Sequence, residues 1–239
     1  TVDRFNVTGA MSLSDAASKT SLRLDNIVFT GEVRALAGAM RGEGALSVSG
    51  TRYPFRLAAG RTSDGSGHRL RINLDPAARP LGADLDGIVH LDEARPRFDG
   101  ALTVFRPAPA KGAVANLADS PWRVAGKLKA DPSVATFEQV EAVFGSDDTG
   151  LKFVGVGDAR FGAAARLRAD LSARQLDVDR FLAQGAAQGT PAQASAPAPV
   201  EVLAGLRSLI ASAPPMPIAT ELGVDVEVLN LGARPVQNL

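Results

Sequence analysis

Cysteine is absent from this chain of 239 residues, so no disulfide framework, thiolate zinc site or cysteine nucleophile is available to it. Histidine is almost absent as well: His68 and His90 are the only two, which leaves metal coordination and general-base chemistry poorly supplied. Neither sign of charge dominates, with Lys+Arg and Asp+Glu at 26 each. That balance removes the basic footprint that contact with a phosphate backbone needs, so nucleic acid is not expected as a partner. Aromatic residues make up 5% of the chain, and any core has to be aliphatic. No run of about 20 apolar residues exists to span a bilayer. The uncharged stretch at 183–200 is mostly Ala, Gln, Gly and Pro. Plentiful instead are Gly (24) and Pro (15), a mixture that goes with many short strands and turns.

The dominant positive signal is alternation with a period of two. It begins with Phe5, Val7, Gly9, Met11 and Leu13 on one face and polar or small residues between them. It returns in Leu22 and Leu24, in Leu46 and Val48, in Tyr53, Phe55 and Leu57, and in Leu70, Ile72 and Leu74. Arg23, Arg56, Arg69 and Arg71 fall in the opposite phase. Further runs are Leu85, Gly87, Val89 and Leu91; Phe98, Gly100, Leu102 and Val104; Trp122, Val124, Gly126 and Leu128; Leu151 with Phe153; Leu167 with Leu171; and Leu222, Val224, Val226 and Val228. A strand buried on both sides reads as an unbroken apolar run, whereas these read as half-buried antiparallel strands. Turn chemistry separates them at 62–67, 75–79, 92–96 and 146–150, which makes a meander the simplest topology.

Gly9, Gly87, Gly100 and Gly126 lie in phase with the apolar side chains. A glycine inside a strand marks a bend, a bulge or a close approach, so these four are the expected sheet-bending positions. The fold class expected is therefore mainly β: a long curved antiparallel sheet, a groove or partial barrel, with one or two short helices. Residues 1–183 form the sheet unit, 184–199 a flexible Ala/Gln/Pro linker, and 200–239 an amphipathic helix followed by the start of further strands. The helix is read from Val202, Leu203, Leu206, Leu209 and Ile210, and a single turn is read at Phe181 and Leu182. The pattern is under way from Thr1 and still running near Leu239, which predicts a piece of a longer protein.

Catalytic signatures fail on inspection. Asp148-Thr149-Gly150 copies the aspartic-protease tripeptide, but the second copy needed for a proton-sharing pair is missing and the position reads as a turn. Gly155-Val-Gly157 lacks the third glycine and the βαβ setting of a dinucleotide site. Gly38, Gly42 and Gly44 are not followed by Lys-Ser/Thr, and no Gly-x-Ser-x-Gly occurs. No catalytic residue, metal or cofactor is expected, and the chain is expected not to be an enzyme.

From Pro121 the order of segments becomes familiar. Pro121-Trp-Arg-Val-Ala-Gly-Lys-Leu128 leads through Phe137-Glu-Gln-Val-Glu-Ala-Val-Phe-Gly145 and Leu151-Lys-Phe-Val-Gly155 to Leu171-Ser-Ala-Arg-Gln-Leu-Asp-Val-Asp-Arg-Phe-Leu182. Together with Arg97-Phe-Asp-Gly-Ala-Leu-Thr-Val104, that order resembles the AsmA-like family of bacterial envelope proteins. The resemblance implies a TamB/chorein-related β-groove on the periplasmic face of the inner membrane, anchored by a helix outside this fragment. It implies phospholipid or another acyl lipid as the partner, moved between inner and outer membranes, together with membrane or envelope-assembly proteins. Groove-lining candidates are then Phe55, Leu57, Leu70, Ile72, Leu74, Leu85, Val89, Leu91, Phe98, Leu102, Val104, Trp122, Val124, Leu128 and Phe153. Alternation alone leaves a second reading open: a structural or interaction scaffold assisting outer-membrane assembly, with the stripe buried against a second sheet and no lipid conduit.

Overall fold

The computed structural model describes residues 4–15, 20–33, 38–48, 50–75, 81–91, 95–108, 120–145, 150–162, 164–178, 219–231 and 234–237. Nearly all of them are strand. The first seven strands are β1 (Phe5–Asp15), β2 (Thr20–Val33), β3 (Met40–Val48), β4 (Thr51–Arg61), β5 (His68–Leu74), β6 (Gly82–His90) and β7 (Arg97–Arg106). Then come β8 (Trp122–Ala130), β9 (Val134–Phe144), β10 (Leu151–Arg160), β11 (Arg166–Asp177), β12 (Ala219–Leu231) and β13 (Arg234–Gln237). They build one curved sheet of 13 strands in which each lies beside its neighbours in sequence. The sheet does not close, because β1 bonds only to β2 and β13 only to β12.

The meander runs antiparallel from β1 to β11, but β12 returns parallel to β11, with Arg166 opposite Ala219 and Asp177 opposite Asn230. The long curved sheet expected is thus antiparallel but for this one pair. A parallel return needs a crossover of a dozen or more residues, and residues 178–218 supply that length. Alternation reads the same in either strand direction, so it could not reveal the reversal. The linker at 184–199, the helix around Val202 to Ile210 and the turn at Phe181 and Leu182 lie outside the described residues. His68 opens β5 opposite Arg61 and Val89.

That turn explains its own composition. Thr62 and Gly67 exchange backbone and hydroxyl hydrogen bonds across 62–67, and Asp64 accepts from the Ser66 N–H at 3.0 Å and the Ser66 hydroxyl at 2.8 Å. Gly65 takes φ +74°, the left-handed conformation for which glycine carries no steric penalty.

Two bulges interrupt the ladders. On β2, Asn26 (φ 50°) puts an extra residue opposite both β1 and β3; on β9, Gln139 (φ 52°) does the same against β8 and β10. Each flips the phase of its strand, so the apolar positions pass from Leu24 to Ile27 and Phe29, and from Phe137 to Val140 and Ala142. Bulges also raise local twist, which helps a sheet this wide to curve. Asn tolerates the left-handed region, whereas Gln carries a cost of about 1–2 kcal/mol there. Gln139→Gly is therefore expected to raise stability by about 0.5–1 kcal/mol after its own entropic cost, and Gln139→Val to lower it. Urea unfolding midpoints of the two variants check the pair.

Candidate functional site: the apolar face

Directly opposed residues share a face, so register alone maps the two surfaces of the sheet. One row passes from Leu57 through Ile72, Leu85 and Leu102 to Gly126. A second runs from Phe55 through Leu74, Ala83, Val104, Val124 and Ala142 to Phe153. A third joins Leu70, Gly87, Gly100, Leu128 and Phe137, and a fourth joins Val89, Phe98, Ala130, Ala135 and Ala159. Trp122 opposes Phe144, which opposes Leu151. Of the fifteen groove candidates, only Leu91 leaves these rows: it follows the end of β6 and is 58% exposed. The face is thus apolar without a break from β4 to β11, roughly 34 Å across at about 4.8 Å per strand.

Packing on this face is shallow. Leu128, Ala135 and Ala159 are buried, with Leu85, Phe98, Leu102, Phe137 and Leu167 leaning on them. Ala173, Leu176, Val178 and Val226 form a second patch against Leu151, Phe153 and Leu229. Apart from Phe29, which is buried, the other described large side chains of the face are half-buried or exposed, as a single layer dictates.

Glycines and aromatic rings smooth the surface. Gly87 faces Gly100 across β6 and β7, and a Cβ on either would lie within 2.5–2.8 Å of the Phe98 ring. Phe29 of β2 and Phe55 of β4 stack over β3 with centroids 5.8 Å apart and planes 4° apart. The intervening strand offers Gly42 and Gly44 there, so the rings meet above backbone. Gly9 and Gly126 instead stand beside the two bulges, where the register shifts. Nothing lies within 4 Å of a Cβ added at Gly9. Phe29 and its glycine neighbours went unread in the sequence, although the jump in phase after Leu24 was the available signal.

The opposite face is charged. Arg69 and Arg71 both bond Asp86, Arg69 in bidentate fashion at 3.1 Å, and Lys129 meets Glu138 at 3.0 Å. A cleft of about 910 Å³ lies on this side over β2 to β6, with Arg4 among its lining residues. Arg4, Arg41, Arg56 and Arg71 flank it, matched by Glu32, Glu43, Asp84 and Asp86, so it has no net sign. Leu57, Ile72 and Leu85 of the first apolar row also belong to its lining.

Hydrogen bonds from Arg69 and then Arg71 hold the Asp86 carboxyl below the usual range. Backbone N–H groups of Ser133 and Val134 do so for Asp131, and the Ser66 N–H, followed by the Thr62 and Ser66 hydroxyls, lowers Asp64 to about 2. Carboxyls depressed in the folded state stabilise it fully above their unfolded value of about 3.9 and lose that effect as pH falls through the folded values. The urea midpoint is expected to be flat above about pH 5 and to fall steadily from about pH 4 towards 2. Asp86→Asn should shrink that fall.

Among the described residues, no three His, Asp or Glu side chains stand together as metal ligands. Asp148 and Thr149 lie outside the described residues, between the antiparallel ends of β9 and β10. Gly155 and Gly157 are interior residues of β10. His90 Nδ1 donates to the Ser66 carbonyl at 2.9 Å. No described helix is long and apolar enough to cross a membrane. Fold and face together define a class: an open single-layer β-sheet with one apolar and one charged surface. No family model, curated protein or solved structure matches the chain.

Proposed function

We propose that this chain is a non-enzymatic segment of an AsmA-like envelope protein that holds phospholipid acyl chains on its apolar face and passes them between the inner and outer membranes. It works from the periplasmic side of the inner membrane, fixed there by a helix outside the chain. The observation that carries this reading is the unbroken apolar face from β4 to β11, with no second sheet upon it among the described residues. A two-sheet filled core would have split the strands between layers, and all 13 belong to one.

An acyl chain gains about 0.8 kcal/mol for each CH₂ fully removed from water. Laid against one face it gains about half of that. Rows of Leu, Ile, Val and Phe set no demand on chain length or unsaturation, which suits a carrier. The polar headgroup stays at the rim, since the charged surface lies on the far side of the backbone. Native mass spectrometry of the chain purified from membranes tests the proposal. Adducts with phospholipid masses are the expected result; a bare chain after incubation with phospholipid vesicles would overturn it.

A further inference from the structure

Among the described residues, the sheet ends at β12 on a long edge that β13 covers only in part. β13 pairs only with Val228 to Leu231 of β12, so Ala219 to Glu227 carry no strand on their outer side among the described residues. Alternate residues along such an edge turn N–H and C=O groups outward, where they template another strand. Proteins usually blunt edges with Pro, Lys or a bulge. The segment Ala-Thr-Glu-Leu-Gly-Val-Asp-Val-Glu has no Pro and no Lys, and its register with β11 is unbroken.

Its two faces differ sharply. Leu222, Val224 and Val226 continue the apolar surface, with Leu222 63% and Val224 43% exposed. On the other face stand Glu221, Asp225 and Glu227, all exposed, and none makes an ion pair among the described residues. The Asp170 carboxylate occupies the gap over Gly223, its Oδ1 2.6 Å from where a Cβ would be. Glu221, Asp225 and Glu227 thus put three carboxylates on the edge strand, while Asp170 of β11 is paired with Arg168 at 3.3 Å. The opposite edge, β1, has Asn6, Thr8, Ala10 and Ser12 in the equivalent row and no charge.

We infer that the Ala219–Glu227 edge of β12 accepts an extended segment of a partner protein in which aliphatic residues alternate with Lys or Arg. Backbone bonds would hold it in the ladder, its aliphatic residues would extend the apolar face beyond Leu222 and Val224, and its cations would meet the carboxylates.

The test uses the whole chain and a blocked peptide, as long as the edge, alternating Lys and Val. A peptide of the same composition with its lysines grouped at one end separates alternation from plain charge, and a Glu/Val peptide provides the reverse sign. Binding is followed by anisotropy at low and high salt, and the site by hydrogen exchange. The alternating Lys/Val peptide is expected to bind, to weaken with salt, and to slow exchange at 219–227 but not at 5–15. In the variant Glu221→Lys/Asp225→Lys/Glu227→Lys, preference should swing at least tenfold from the Lys/Val to the Glu/Val peptide. That ratio can be read even if the variant is somewhat less stable. Equal binding of the grouped peptide, protection at 5–15, an unchanged preference, or self-association of the chain through this edge would each overturn the inference.

Discussion

Gly87→Ala is expected to lower folding stability by about 2–3 kcal/mol, while Gly9→Ala leaves it unchanged or raises it by a few tenths of a kcal/mol. Both glycines lie in phase with apolar neighbours, so sequence treats them alike. Their surroundings differ. A Cβ on Gly87 would sit 2.5 Å from the Asp99 carbonyl oxygen, 2.5 Å from Phe98 Cζ and 2.7 Å from the Gly100 Cα. The ring can rotate away; the carbonyl oxygen and the Cα belong to the neighbouring strand and move only if the strands part. Overpacking against backbone therefore falls towards the upper end of its usual range of about 1–3 kcal/mol. A Cβ on Gly9 meets nothing, and alanine removes some of the freedom that glycine has in the unfolded chain. Urea unfolding of the two variants decides the matter. Equal midpoints would mean that the facing pair Gly87 and Gly100 does not set the strand approach.

The same pair shows how far the sequence could be read. From β4 to β7 the ladders run without a register shift, and there the apolar phase was legible residue by residue: Phe55, Leu57, Ile72, Leu85 and Leu102 all fall where alternation put them. Legibility failed where a bulge intervened. Leu24 and Phe29, or Phe137 and Val140, are separated by odd intervals, so a strict period of two breaks the run. Only a left-handed residue at Asn26 or Gln139 restores both halves to one face. That Gly87 faces Gly100 depends on the β6–β7 register, which the loop between them sets and alternation does not. The parallel return of β12 was hidden for a different reason, since a strand has the same apolar pattern in either direction. The charged cleft over β2 to β6 was illegible too, because it is assembled from five strands and Arg4.

The apolar face makes its own prediction through two adjacent residues. Leu102 and Ala101 are neighbours in β7 and point to opposite surfaces: Leu102 opposes Leu85 and Gly126, and Ala101 opposes Asp86 and Lys127. Leu102→Glu is expected to weaken phospholipid capture at least tenfold, and Ala101→Glu to leave it unchanged. A carboxylate in the middle of the apolar rows must either lose water, which it resists, or hold the acyl chain off its neighbours. Losing the one-sided contact of about four CH₂ groups costs roughly 1.5 kcal/mol, which is the tenfold change. Ala101 is exposed, and a carboxylate there lies between Asp86 and Lys127, one repelling and one attracting, so little is gained or lost. Capture of a fluorescent phospholipid from vesicles gives the measurement, and hydrogen exchange across β4 to β9 verifies that both variants keep the sheet. If Leu102→Glu holds the sheet and captures lipid as well as the parent does, acyl chains do not lie on this face. If Ala101→Glu is the one that loses lipid, the charged surface is the binding side, and the register that defines the two faces is what the lipid is reading.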